Sequence, residues 1–146
     1  MKKLFFCAAA LFAAISFAAC SDDDDETNLT ATPETIAGTW QITYEEGVAI
    51  YDGEEETWSE NYPDEDGWYW TLAFDKNGTC IDTDYETGDD PYSIRYTYSI
   101  SGSTLILKKA NDESYTYEIK ALTQSKLVLF GFEDRAEYTS TYKRIK

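Results

Sequence analysis

The sequence predicts an all-β fold, an eight-stranded antiparallel up-and-down barrel. Three observations carry that expectation. Bulky apolar side chains alternate with polar ones at a period of two through most of residues 38–144, the pattern of half-buried strands. Short turn sequences separate the runs, among them Asp75-Lys76-Asn77-Gly78, with the favoured hairpin pair Asn-Gly, and Ser101-Gly102. Eight strands joined this way form a meander, and closing it removes the exposed edges. A β-sandwich of immunoglobulin type is the alternative. It needs long crossovers between sheets, and the only long connection is residues 46–66.

The first nineteen residues stand apart from the domain. Lys2 and Lys3 give a positive start, Leu4 to Ala19 is apolar apart from Ser16, and Ala18 and Ala19 precede Cys20. Charged head, apolar core and small-residue cut site are the order of a secretory signal. The run is short for a membrane-spanning helix, which needs about 20 apolar residues. Phe17-Ala18-Ala19-Cys20 resembles the lipobox of bacterial lipoproteins, with Phe17 replacing the usual leucine. The resemblance implies that residues 1–19 are removed and that Cys20 is lipidated, and two or more acyl chains anchor a protein stably. Ser21, Asp22, Asp23, Asp24, Asp25 and Glu26 follow. A block of like charge forms a solvated spacer, and this one also resembles the acid-rich surface-export tags of some lipoproteins. The expected location is the outer membrane, lipid-anchored at the cell surface, with a periplasm-facing placement as the alternative. Residues 20–32 read as the lipidated tether; twelve extended residues reach at most roughly 40 Å.

The domain runs over residues 33–146. Pro33 to Ala37 can form one helical turn. Trp40, Ile42 and Tyr44 share a face of the first strand, and Trp68, Trp70, Leu72 and Phe74 a face of the second. Thr79 to Asp84 form the third, and Tyr92, Ile94, Tyr96, Tyr98 and Ile100 line the fourth. Leu105 and Leu107 lead the fifth; Tyr115, Tyr117 and Ile119 mark the sixth, Leu127 and Leu129 the seventh, Tyr138 and Tyr142 the eighth.

Gly38-Thr39-Trp40 at the start of the first strand is similar to the Gly-x-Trp signature of the lipocalins. Trp70 to Thr79, Tyr98 to Leu105 and the closing Tyr142-Lys143-Arg144-Ile145 resemble bacterial lipocalin-like domains in order and spacing. The resemblance implies a barrel with Trp40 at its closed base and Arg144 packed across it, a contact of about 0.5–2 kcal/mol. It also implies a ligand cavity, although small barrels can be filled by their own side chains.

Strand parity orients this barrel. The connections at 46–66, 85–91, 110–114 and 131–134 share one end, and the turns at 75–78, 101–102 and 123–125 share the other with both termini. The first set carries Glu46, Asp52, Glu54, Glu55, Glu56, Glu60, Asp64, Glu65, Asp66, Glu86, Asp89, Asp90, Asp112, Glu113, Glu133 and Asp134. An acidic mouth therefore points away from the tether. Such acid serves solubility; set beside Trp58, Tyr62 and Trp68, it can also recognise cations, basic proteins or sugars. Tyr44, Trp58, Tyr62, Trp68 and Tyr96 are the candidate ligand-binding residues.

Composition narrows the function classes. The 12 basic and 28 acidic residues give a net charge of −16, and loss of Lys2 and Lys3 with the signal takes it to −18. That charge repels nucleic acid and anionic lipid. The chain contains no histidine, which removes the histidine-based catalytic constellations and the commonest metal ligand. Cys80 is the one cysteine beyond Cys20, which leaves no internal disulfide, and a lone thiol is ordinarily a small buried apolar group. Asp64, Asp66 and Gly67 match part of a calcium loop, but Tyr62 and Ala73 occupy its first and last ligand places. No metal and no cofactor is expected. The expectation is a monomeric, non-enzymatic lipoprotein that binds a small apolar or sugar-like ligand at the mouth. The alternative is a filled barrel whose acidic loops contact a partner protein or glycan.

Overall fold

A computed structural model describes residues 26–146. The lipobox, Cys20 and the export-tag positions Ser21 to Asp25 lie outside the described residues. One helical turn, α1 (Pro33–Ile36), precedes nine strands: β1 (Gly38–Tyr51), β2 (Glu54–Asn61), β3 (Tyr69–Phe74), β4 (Thr79–Tyr85), β5 (Tyr92–Ser101), β6 (Thr104–Lys108), β7 (Ser114–Leu122), β8 (Lys126–Glu133) and β9 (Ala136–Arg144). All pairs are antiparallel. Strands β3 to β9 follow one another in space, and β1 closes the ring by pairing with both β3 and β9. The result is an eight-stranded barrel with one additional strand, β2.

That strand corrects the reading of residues 46–66 as a loop. The first strand runs on to Tyr51, turns at Asp52-Gly53, and β2 returns along it from Tyr51↔Glu54 to Tyr44↔Asn61. Asp52 (φ 51°) and Gly53 (φ 87°) both take the left-handed backbone, which suits a two-residue hairpin turn. Only Trp58 of β2 is partly covered. No burial alternation marks the strand, so its acids disguised it. Among the described residues nothing pairs with its outer edge, and Glu54, Glu55, Glu56 and Glu60 keep that edge from recruiting another chain.

A second correction concerns Tyr44. The register of β1 on β9 slips at Thr43, between Ile42↔Tyr142 and Tyr44↔Thr141. One extra residue reverses every later side chain relative to the barrel. Trp40 and Ile42 point inward, then Glu45, Gly47 and Ala49. Tyr44 therefore lies outside, where its hydroxyl donates to Glu46 Oε2 at 2.9 Å. Tyr92, expected to line the fourth strand's inner face, is exposed at its end.

The core fills the lower half of the barrel. Ile36, Trp40, Ile42, Cys80, Leu105, Leu122, Leu127 and Leu129 are almost completely buried, and burying each large apolar side chain contributes about 1.5–3 kcal/mol. At the closed base, α1 is capped by Thr32, whose hydroxyl accepts from Thr35 N at 3.2 Å while the Thr35 hydroxyl accepts from Thr32 N at 2.9 Å. The segment before it is not wholly a free tether: Leu29 N donates to Leu122 O at 2.7 Å, and Leu29 and Ala31 pack on the core. Glu26 accepts from Ser125 Oγ at 2.6 Å and from the Thr123 hydroxyl. Those hydroxyls hold its carboxyl below the usual range.

Candidate functional site

Two regions meet the sequence-derived candidates. The first is the closed base. Trp40 is fully buried and its Nε1 donates to Ile36 O at 2.8 Å. The Arg144 guanidinium stands 4.1 Å over the Trp40 ring. It donates to three carbonyls, Gln124 O at 2.6 Å, Ala37 O at 2.5 Å and Thr35 O at 2.9 Å, and burial lowers its pKa. Gly38 (φ 138°) belongs here because a Cβ on it would stand 2.6 Å from Lys146 O and collide with the Arg144 guanidinium. Arg144 thus ties the β7–β8 turn, α1 and the start of β1 together. It is a structural clamp.

The second region is the upper half of the barrel, a cavity of about 270 Å³. Register explains its lining. Trp70 faces Asp84, Leu72 faces Asp82 and Phe74 faces Cys80 across β3–β4, while Asp82 faces Ile94 and Cys80 faces Tyr96 across β4–β5. Leu107 and Tyr115 close the other wall from β6 and β7. The floor is Tyr142, whose hydroxyl accepts from Trp70 Nε1 at 3.1 Å. Tyr96 is buried and meets Tyr115 edge to face at 6.1 Å. Burial pushes the Tyr96 phenol up to about 12, with the Asp82 charge acting the same way.

Asp82 is the unusual member of this wall. Its Oδ1 is buried and has no hydrogen-bond partner. Among the described residues no ion pair includes it. Burial first and the neighbouring Asp84 second push its carboxyl up to about 7, against a smaller opposing pull from Lys109. Lys109 also lines the cavity, but its ammonium is engaged by Glu113 Oε2 at 3.0 Å and Tyr115 Oη at 2.9 Å. Glu45 on the opposite wall, likewise raised by burial, accepts from Ser140 Oγ at 2.6 Å.

The remaining candidates divide around the mouth. Tyr62, Trp68 and Trp70 form one aromatic cluster, with centroids 4.8 Å apart for Tyr62–Trp70 and 5.2 Å for Trp68–Trp70. Asp64 shapes the loop that carries them, its Oδ1 accepting from Asp66 N at 3.0 Å and Trp68 N at 2.8 Å. Trp58 lies apart, its ring across Gly47 at the inner side of the β1–β2 hairpin. With Ala49, Tyr51, Glu133 and Tyr138 it borders an open cleft of about 670 Å³. Glu133 borders both cleft and cavity. Of the five ligand-binding candidates, the structure places Tyr96 in the cavity, Tyr62 and Trp68 at its rim, Trp58 in the adjoining cleft and Tyr44 outside. Among the described residues no group of three His, Cys, Asp or Glu side chains could hold a metal ion.

The closed ring of eight strands agrees with a family comparison. The model of the lipocalin-like domain matches residues 36–129. The chain belongs to the lipocalin-like family. No curated protein matches it in sequence. The crystal structure of a lipocalin-like protein from Bacteroides uniformis ATCC 8492 is 17% identical, with 76% of this chain and 99% of that chain covered and a TM-score of 0.51. That likeness supports the fold alone. An uncharacterized protein from Bacteroides eggerthii DSM 20697 (12% identity, 74% and 98% covered, TM-score 0.47) and bovine odorant binding protein, solved with a selenium-containing odorant (17%, 86% and 78%, TM-score 0.46), are more distant. A lipocalin-like fold suggests a ligand-binding barrel.

Within this lipocalin-like barrel, sequence reasoning missed Asp82 and Trp70 as cavity-lining candidates. The signal was present in Cys80-Ile81-Asp82-Thr83-Asp84. Period-two alternation puts both acids on the same side of the strand as the buried thiol. Burial raises the Cys80 thiol pKa, with Asp82 and Asp75 adding to the effect. A thiol so held is an inert core group.

Proposed function

We propose that this lipocalin-like protein is a non-enzymatic binding module, anchored through lipid on Cys20 at the outer membrane surface, whose barrel takes a small ligand from its acidic end. The observation that carries the binding reading is the division of the barrel: packed from Trp40 up to Tyr142 and hollow above it, with a wall of aromatic rings and phenol hydroxyls among which Asp82, Lys109 and Glu133 are set. Concave sites in the mouths of β-barrels, with polar groups placed among aromatic side chains, are where small molecules bind. The lipobox and the acid run support the anchor and the export tag. Strand parity adds an orientation, because α1 and Leu29 sit at the closed base and a chain entering there leaves the mouth outward.

Native mass spectrometry of the full chain, purified from its own host in mild detergent, tests the binding reading. The expected result is a retained small molecule that disappears in Ile94→Trp, which fills the cavity; retention unchanged by that substitution overturns it. Palmitate labelling that persists in Cys20→Ala overturns the anchor. For the export tag, Asp22 to Asp25 are replaced by alanine and Glu26 is kept, since Glu26 is bonded to the barrel; unchanged protease access on intact cells counts against the tag.

A second reading, contact with a partner protein, draws on one observation. Thr57, Val48, Glu137 and Phe132 lie side by side across the outer face of β2, β1, β9 and β8, with Val48, the adjacent Ile50 and Phe132 exposed.

A further inference from the structure

We propose that the ligand of the upper cavity is a small primary amine with an aromatic body, its ammonium donating to the Asp82 carboxylate and its ring lying among Tyr96, Tyr115 and Trp70. The inference deepens, and rests on, the reading of the barrel as a small-molecule site. Its starting point is the unpartnered Asp82 Oδ1. A buried acceptor without a donor is costly and rare in folded proteins. Here the wall supplies none. The one ammonium in the cavity, that of Lys109, is bound to Glu113 and Tyr115, and the nearby Trp70 indole N–H is used by Tyr142. A donor on a bound molecule would answer this acceptor.

Charge selects the kind of donor. Asp82 and Glu133 line the cavity, with Asp84 on the same face of β4 as Asp82, against Lys109 alone. A cation relieves this imbalance where a neutral hydroxyl cannot, and a charge-assisted hydrogen bond is about twice as strong as a neutral one. The aromatic faces attract an ammonium as well. The acidic mouth raises the local concentration of cations before they enter. Volume bears on the size: the cavity measures about 270 Å³. A one-ring amine such as an arylethylamine fits within that space.

Isothermal titration of the full chain with phenethylamine and with 2-phenylethanol decides the matter, because the two probes match in size and differ in charge. The expected result is tighter binding of the amine by about tenfold or more, with the preference falling to less than about twofold in Asp82→Asn. Two outcomes overturn the inference. If the alcohol binds as well as the amine, the cavity is a small-molecule site that does not read charge, and the broader reading stands. If neither probe binds, while Ile94→Trp also leaves the native mass unchanged, both readings fall. An amine preference that persists in a folded Asp82→Asn protein equally overturns the role of Asp82. Should that variant not fold, the amine-to-alcohol ratio of the unaltered protein still decides.

Discussion

Replacing Asp82 by asparagine changes how the stability of this barrel responds to pH. In the folded chain burial lifts the carboxyl from its ordinary 3.8 to about 7. Between those values the folded state binds a proton that the unfolded state has released. Stability from this group is therefore fully present below about pH 4 and is lost as pH rises through 7. At about 1.4 kcal/mol per tenfold change the full difference is roughly 4 kcal/mol. Asp82 is not wholly shielded from solvent, so a loss of about 2–4 kcal/mol is expected. Asparagine keeps the shape and cannot ionise. Urea unfolding of the full chain and of Asp82→Asn, followed by near-ultraviolet circular dichroism from about pH 4 to about pH 8.5, yields the two curves. The variant should gain about 2–4 kcal/mol on the parent as pH rises. The titratable groups around the site are Asp84, Glu45, Glu133, Lys109, Tyr96, Tyr115, Tyr117 and Tyr142. All are present in both proteins and cancel in the difference to first order. Parallel curves would refute the claim that Asp82 is held in a desolvating wall.

Other perturbations probe the rest of the fold. Arg144→Met should cost roughly 2–4 kcal/mol in urea unfolding, since it strips three charge-assisted hydrogen bonds and the cover of Trp40; a loss below about 1 kcal/mol would show that the clamp is idle. Gly47→Val should displace Trp58 from the cleft and shift tryptophan emission to the red, because a Cβ there meets the indole ring and stands 2.6 Å from Glu137 O; an unchanged spectrum contradicts the packing. Leu127→Ala should cost about 2–5 kcal/mol from the filled lower core, and a milder effect would mean that the base is looser than described. Iodoacetamide at about pH 8 should leave the peptide containing Cys80 unmodified in the folded chain and label it in urea, given a buried thiol whose pKa burial raises; labelling at equal rates would place Cys80 outside the core.

Much of this molecule is legible in the chain because a barrel strand has only two faces. Once Leu105, Leu107, Tyr117, Ile119, Leu127 and Leu129 alternate with polar residues, their side of the sheet is settled. Asp75 to Gly78 and Ser101-Gly102 fix the hairpins through local backbone preference. The Gly38-Trp40-Arg144 base is equally readable, because its residue types suit one another: an indole to be covered, a planar cation to cover it, and a glycine where any Cβ would obstruct. What the sequence could not settle depends on register and closure. A single inserted residue at Thr43 turns Tyr44 out and Glu45 in, and nothing in Ile42-Thr43-Tyr44-Glu45 announces it. The β2 strand is hidden by its own acids, which follow from its free edge. The depth of Asp82 exists only after β1 meets β9, because one carboxylate on a strand becomes a buried, unanswered charge when seven other strands enclose it. Local pattern determined which faces turn inward, and only the closed ring decided what those faces surround.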